Sequence, residues 1–341
     1  MDIKTLAKKL NLSITTVSRA LGGYSDVSEK TRKRVEKFAT KYKYSPNPYA
    51  SSLASGKSNI IGFVLPLYGI NSNQLNQASF FDFISGMTNK IHSENIQFFM
   101  MFANSAQEEK KAYEKLIYVQ KVNKIILHNL KKNDERIKIL KKNNIKFVTW
   151  GRTQGLKNYS WVDLDNEESV NLIMQYLFNK NHKYIAYINI VENYKFAYQR
   201  QQGYINSLKK NKIKFNKNYY ISVKTEEPDQ SALVIKKMLV KNPEITALIC
   251  STEYSGVGAI KACNELNKKI GKDISIITFD GPVVESLTSP SLSAVTHPRK
   301  ALGLKAIEML LEMDNKNYKS QFYLAKPKIL ERGTVHTVKK T

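Results

Sequence analysis

Residues 13–21 read SITTVSRAL, and helical spacing puts Val17, Ala20 and Leu21 on one face and Ile14, Thr15, Ser18 and Arg19 on the other. Ser13 is placed to cap that helix, and a tight turn at Asn11-Leu12 separates it from an amphipathic stretch with Ile3, Leu6, Ala7 and Leu10 at the same period. A short helix, a tight turn and a second helix with polar side chains near its start fit the DNA major groove, where such side chains meet base edges. An ordinary three-helix packing module would show the same pattern.

Other chemistries find little support. Cys250 and Cys263 fit neither a disulfide framework nor a metal site, and read as small buried hydrophobes. The five histidines, 92, 128, 182, 297 and 336, are scattered, with no His-x-x-x-His spacing and no Gly-x-Ser-x-Gly elbow. Gly56-Lys57-Ser58 resembles the end of a phosphate-binding loop, but Ser51 stands where its first glycine belongs and no strand precedes it. In Gly256-Val257-Gly258, Lys261 replaces the third glycine of a dinucleotide fingerprint. The sequence predicts no enzyme, no cofactor and no metal.

Charge favours a polyanionic partner. Lys+Arg 54 against Asp+Glu 29 gives +25 over 341 residues, although only 8 of those cations are Arg and lysine abounds everywhere. Residues 1–58 carry 12 Lys/Arg and 4 Asp/Glu, a net +8, so basic charge is densest at the N-terminus. The opening MDIKTLAKKL lacks the apolar core of a signal peptide and the most apolar run, residues 60–67, is far too short to span a bilayer, so the cytoplasm is the expected location and no membrane is expected as a partner.

Three kinds of segment follow one another along the chain. Residues 2–43 are patterned for three short helices, with Ser28 a second N-cap and Gly22-Gly23 able to supply a positive φ. The stretch SPNPYASSLASGKSN is poor in buriable surface and reads as a linker, with one short helix over residues 49–54. From Asn59 onward, strand-length apolar runs (IIGFVLP, IQFFMMF, KIILH, KFVTW, YIAYINI, NYYISV, ITALICS, ISIITFD, LSAVTH) alternate with helical stretches. That alternation belongs to parallel sheets covered on both faces, in two doubly wound lobes.

The N-terminal block LAKKLNLSITTVSRALGGYSDVSEKTRKRVEKFATKYKYSPNPYASSLASGKS resembles the signature of the lactose-repressor (LacI/GalR) family of transcription regulators. The match runs through the Thr-Val-Ser-Arg block (16–19), Val-Ser-x-x-Thr-Arg (27–32), Tyr-x-Pro-Asn (44–47) and the Ser-Leu hinge followed by Gly-Lys-Ser. A looser likeness continues to about Gly333. The resemblance implies an all-α N-terminal helix-turn-helix domain and an α/β two-lobed core like that of periplasmic sugar-binding proteins, with doubly wound parallel sheets. The expected divisions are 1–45 for the DNA-binding domain, 46–58 for the hinge and 59–337 for the effector-binding and dimerisation core. Within the core, lobe 1 is expected at about 59–159 and 290–319, and lobe 2 at about 160–289 and 320–337.

By the same resemblance Ile14, Thr15 and Arg19 read bases. Arginine can reach guanine O6 and N7, whereas isoleucine suits a thymine methyl. Thr5, Ser13, Thr16, Ser18 and Tyr44 are placed for phosphate, and Ala50 and Leu53 for a minor-groove wedge. Ser51 departs from the arginine common after the hinge alanine. In the core, Arg200 and Asp280 are carried over as effector contacts, since a guanidinium fork and a carboxylate can bracket sugar hydroxyls; Arg152, Thr252 and Phe80 are placed beside them. Thr252-Glu253 replaces the family's frequent Asn-Asp, and KTEEPDQ lacks an aromatic that often stacks on the ligand. The expected function is a homodimeric regulator, a repressor of carbohydrate genes, binding palindromic duplex DNA under a sugar-type effector. A cytoplasmic sugar receptor whose N-terminal helices dock a protein partner is the other reading.

Overall fold

The computed structural model describes residues 1–44, 60–68, 74–190, 193–223, 227–279, 281 and 288–339. The hinge stretch 46–58 with Ala50 and Leu53, and also Asp280, lie outside those residues. The chain divides into two units, Met1–Asn59 and Ile60–Thr341.

In the first unit, α1 (Ile3–Leu10), α2 (Ile14–Leu21) and α3 (Glu29–Lys41) surround a small core in which Leu6, Leu10, Val17 and Val35 are fully buried. Local chemistry sets each boundary. Asn11 ends α1 in the left-handed conformation, Ser13 accepts a hydrogen bond from the Thr16 N–H at 3.0 Å to open α2, and Ser28 does the same for Thr31 at 3.3 Å to open α3. Gly23, at φ 71°, carries the chain out of α2. Arg34 Nη2 donates to the Leu10 carbonyl at 3.0 Å, tying α3 back to α1.

The second unit holds two six-stranded sheets. The first has the order β11-β5-β4-β3-β1-β2, where β1 is Ile60–Pro66, β2 Gln97–Ala103, β3 Lys124–Leu127, β4 Lys146–Trp150, β5 Ser160–Leu164 and β11 Phe322–Ala325. The second has the order β12-β10-β9-β8-β6-β7, where β6 is Ile185–Ile190, β7 Tyr220–Val223, β8 Ala247–Cys250, β9 Ser275–Phe279, β10 Ser293–Val295 and β12 Ile329–Leu330. Among the described residues, every pairing between these strands is parallel except that of β12 with β10. Their near-continuous apolar runs are what a sheet covered on both faces demands.

The helices that cover these sheets end by a repeated device. Asn95, Asn144, Asn181 and Asn267 each follow a helix at positive φ, so the asparagine-rich composition supplies left-handed C-terminal turns that glycine usually provides. Glycine is needed elsewhere, where helices touch. Gly303 lies in the helix Arg299–Glu312, and a Cβ there would fall 1.9 Å from the Phe83 carbonyl oxygen. Gly258 does the same work in Glu253–Glu265, where a Cβ would meet the Pro228 carbonyl at 2.6 Å, while Gly256 faces Thr278 of β9 and Leu292; the Gly-x-Gly pair serves packing.

The expected lobe boundaries need correction. Residues 160–164, assigned to lobe 2, form β5, which pairs with β4 and extends the first sheet. Residues 322–325 likewise join the first sheet beside β5, while 293–295 join the second beside β9. The chain therefore passes between lobes at Asp165, at 296–298 and at 326–328. A linear count of alternating elements cannot show this, because each crossing takes only one to three residues.

Candidate nucleic-acid interface and ligand cleft

Ile14, Thr15 and Ser18 are exposed on α2, Ile14 at 44% despite being apolar, while Val17 and Ala20 are buried on the opposite face. The packing that buries one face is thus what presents the other. The hydroxyls of Ser13 and Thr16 lie 2.8 Å apart, so both belong to the helix cap as well as to the exposed end of α2. Thr5 is exposed on α1 and Tyr44 is half-buried against the core.

Arg19 is not a loose cation. Its guanidinium donates from Nε to Asp26 Oδ1 at 3.1 Å and pairs from Nη2 with Oδ2 at 2.8 Å, and it lies over the Tyr24 ring at 4.8 Å. Both charged partners stay open to water, so this holds the fork in one place without burying it.

In the second unit the lobes enclose a cleft lined by Ser79, Asn129, Leu130, Trp150, Arg152, Asp163, Asn166, Phe196, Arg200, Thr252, Glu253, Phe279, His297 and Arg299 among others. A polar relay crosses it. Arg152 Nε donates to Asp163 Oδ2 at 2.7 Å, Asn166 Nδ2 to Asp163 Oδ1 at 3.3 Å, Arg200 Nε to Asn166 Oδ1 at 2.8 Å, and Arg200 Nη1 to the Ser251 carbonyl. Arg152 and Asp163 belong to the first sheet's lobe, Asn166, Arg200 and Ser251 to the second's. Burial pushes the Asp163 carboxyl above the usual carboxylate range even with Arg152 beside it. Burial, with Arg299 and Arg200 nearby, holds the His297 imidazole neutral, far below its ordinary value.

Aromatic walls flank this relay. The Arg200 guanidinium sits 3.4 Å from the Phe279 ring centroid and 4.9 Å from that of Phe196, and Trp150 stacks on Phe83 at 4.2 Å with 4° between planes. Flat apolar surfaces beside charged hydrogen-bonding groups suit a small polyhydroxylated ligand. Arg152, Arg200 and Thr252 line the cleft, whereas Phe80 does not. Phe80 is 3% exposed and packs on Phe63 at 4.4 Å, so its placement as a ligand contact is corrected: the helical turn sends Ser79 to the cleft and its neighbour into the core. Asp163, Glu253, His297 and Arg299 were missed, although each stands at or just after a strand end.

Comparison with known proteins follows the same division. Residues 2–47 match the model of bacterial regulatory proteins of the lacI family, and residues 174–335 that of a periplasmic binding protein-like domain. The chain is 30% identical over 320 residues to the HTH-type transcriptional regulator RafR of Escherichia coli, covering 92% of each protein. The chain belongs to the LacI family. Members are DNA-binding transcriptional regulators, not enzymes. The fold matches a lac repressor dimer bound to operator and the anti-inducer ONPF, with TM-score 0.84 at 20% identity over 98% of this chain and 99% of that one. It also matches a CelR–cellobiose complex, with TM-score 0.74 at 19% identity and the same coverage. Among the described residues no helix is long and apolar enough to cross a membrane.

Proposed function

We propose that this LacI-family regulator is a cytoplasmic homodimeric repressor of carbohydrate genes, gripping a palindromic operator and responding to a sugar-type effector in the interlobe cleft. The observation that carries this reading is the exposed face of α2, with Ile14, Thr15, Ser18 and Arg19 held off the core on the same chain as a cleft of arginines, carboxylates and aromatic rings.

In this reading residues 1–45 bind DNA, 46–58 form the hinge and the rest senses ligand. Arg19 reads guanine and Ile14 a thymine methyl, while Thr15 completes the base contacts. Thr5, Ser13, Thr16, Ser18 and Tyr44 hold phosphates, and Ala50 and Leu53 wedge the minor groove. Arg152, Arg200, Thr252 and Asp280 hold the effector. Phe81 and Phe102, 52% and 57% exposed, the latter on the outer strand β2 of the first sheet, support pairing of two chains. Effector that binds one lobe arrangement more tightly shifts the population of the dimer and thereby its operator affinity. A solved relative in fold holding cellobiose supports a sugar as the ligand.

The test is an operator titration by fluorescence anisotropy, with and without a panel of neutral sugars, sugar phosphates and uronates, on the wild type and on Arg200→Lys. A sugar should shift wild-type operator affinity by about 5- to 150-fold, and Arg200→Lys should lose the shift while binding operator normally. A folded dimer that binds operator but ignores every sugar would remove the effector half of the proposal.

A further inference from the structure

Next to the cleft residues Leu130, Arg152 and Phe196 lies a charge arrangement that the relay does not use. The segment 130–132, from the first sheet's lobe, and 193–195, from the second's, form a backbone clamp: the Lys132 N–H donates to the Asn193 carbonyl at 3.0 Å, the Lys195 N–H to the Leu130 carbonyl at 2.9 Å, and Lys131 bridges Tyr194 in antiparallel fashion. The clamp brings two half-buried lysines of opposite lobes onto one ring. Lys132 Nζ lies 4.5 Å and Lys195 Nζ 4.9 Å from the centroid of Tyr198. The two ammonium groups are therefore within about 10 Å of each other, no more than a Debye length at 0.1 M salt, so salt weakens their repulsion without abolishing it. No described carboxylate forms an ion pair with either one.

Lysine is common throughout this chain, so the count alone says nothing. What distinguishes this pair is that backbone hydrogen bonds enforce the approach, and that the neighbours are cleft residues: Leu130, Arg152 and Phe196 line the cavity. Burial, then Arg152, then Lys132 hold the Lys195 amine below its ordinary value, with Glu167 the one acid acting the other way. The Tyr198 ring offsets part of the repulsion through its negative face. An anion between the two ammonium groups would offset the rest, and would do so only when the lobes stand as they do here.

We propose that Lys132 and Lys195 form an anion site straddling the mouth of the cleft, so that the effector is a sugar bearing a phosphate or carboxylate whose charge locks the two lobes together. This rests on the effector reading above and narrows it to charged ligands. The sugar ring would lie against the aromatic walls and the relay, with its anionic group toward Tyr198.

Isothermal titration of the full chain with glucose, galactose, cellobiose, glucose 6-phosphate, galactose 6-phosphate, glucuronate and galacturonate tests it. At least one charged ligand should bind about tenfold or more tightly than its neutral parent. The double variant Lys132→Gln/Lys195→Gln should lose that advantage, keep its affinity for neutral sugars within about twofold, and melt at or above the wild-type temperature, since a repulsion is removed. The phosphates compared with the uronates identify the anionic group. A neutral sugar binding as tightly as its charged form, or a double variant that keeps the preference, overturns this inference and leaves the effector reading standing. No binding by any of the seven overturns both.

Discussion

Replacing Arg19 by alanine should damage one position of the operator and almost nothing else. In the free protein the guanidinium is spent on Asp26, at 2.8 and 3.1 Å, and on the Tyr24 ring. The side chains of Arg19 and Asp26 are 43% and 55% exposed, so their ion pair is worth about 0–1 kcal/mol and the ring contact about 0.5–1 kcal/mol. The fold therefore loses little when Arg19 is cut, and the intact fork needs little to leave Asp26 for a guanine. A bidentate arginine–guanine contact discriminates by about 1–3 kcal/mol, which is about 5- to 150-fold at one base pair of each half-site. The assay is competition anisotropy with operators substituted one base pair at a time, for wild type and Arg19→Ala, at several salt concentrations. Arg19→Ala should flatten the profile at a single symmetric pair of positions and leave the salt dependence unchanged, because no phosphate contact is lost. Uniform weakening at every position, with the salt slope reduced by about one, would put Arg19 on the backbone and refute this assignment.

Other substitutions separate the two units. Leu10→Ala empties part of the small helical core, where Leu10 is fully buried, and should cost about 2–5 kcal/mol; operator binding should vanish while ligand binding by the second unit persists, checked by circular dichroism and titration. Gly303→Ala forces a methyl to within 1.9 Å of the Phe83 carbonyl, so the helix Arg299–Glu312 must lift off its neighbour; the second unit should lose about 1–3 kcal/mol or more in urea unfolding. The imidazoles of His182 and His128 are held down to about 4 and about 3 by burial, so below 6.5 the unfolded chain takes up protons that the folded chain refuses. Stability should then fall as pH drops from 6.5 toward 4, by up to about 1.4 kcal/mol per pH unit for each such group, and His182→Gln should shallow the slope of the urea midpoint against pH.

The helical unit was legible in detail because each boundary is chemical and local: Ser13 and Ser28 cap, Asn11 and Gly23 turn, and the buried residues recur at helical spacing. The alternating α/β pattern was equally plain, since strands such as IIGFVLP and SIITF are covered on both faces. Strand β5, SWVDL, escaped notice because its run is broken by Asp163, the acid that meets Arg152. The lobe crossings depend on pairings made far apart in sequence, such as Phe322 with Trp161, and no local signal announces them. In the cleft, the family resemblance pointed to Arg152 and Arg200, which line it, but not to which neighbour turns inward. Phe80 points to the core, while Thr252 and Glu253 beside it both line the cavity, the Thr252 hydroxyl being engaged with Ser255 in a capping box. The place of Arg19 on the outward face of α2 was legible; its hold on Asp26, seven residues on, was not.

The most direct trial of the account is a nuclease footprint of the purified full chain across the DNA flanking its own gene and the neighbouring genes. It should protect an inverted repeat, with half-sites one helical turn or a multiple apart, and the protection should change when the effector is added. Even cleavage across all of that DNA by a folded protein would contradict the claim that α2 reads sequence.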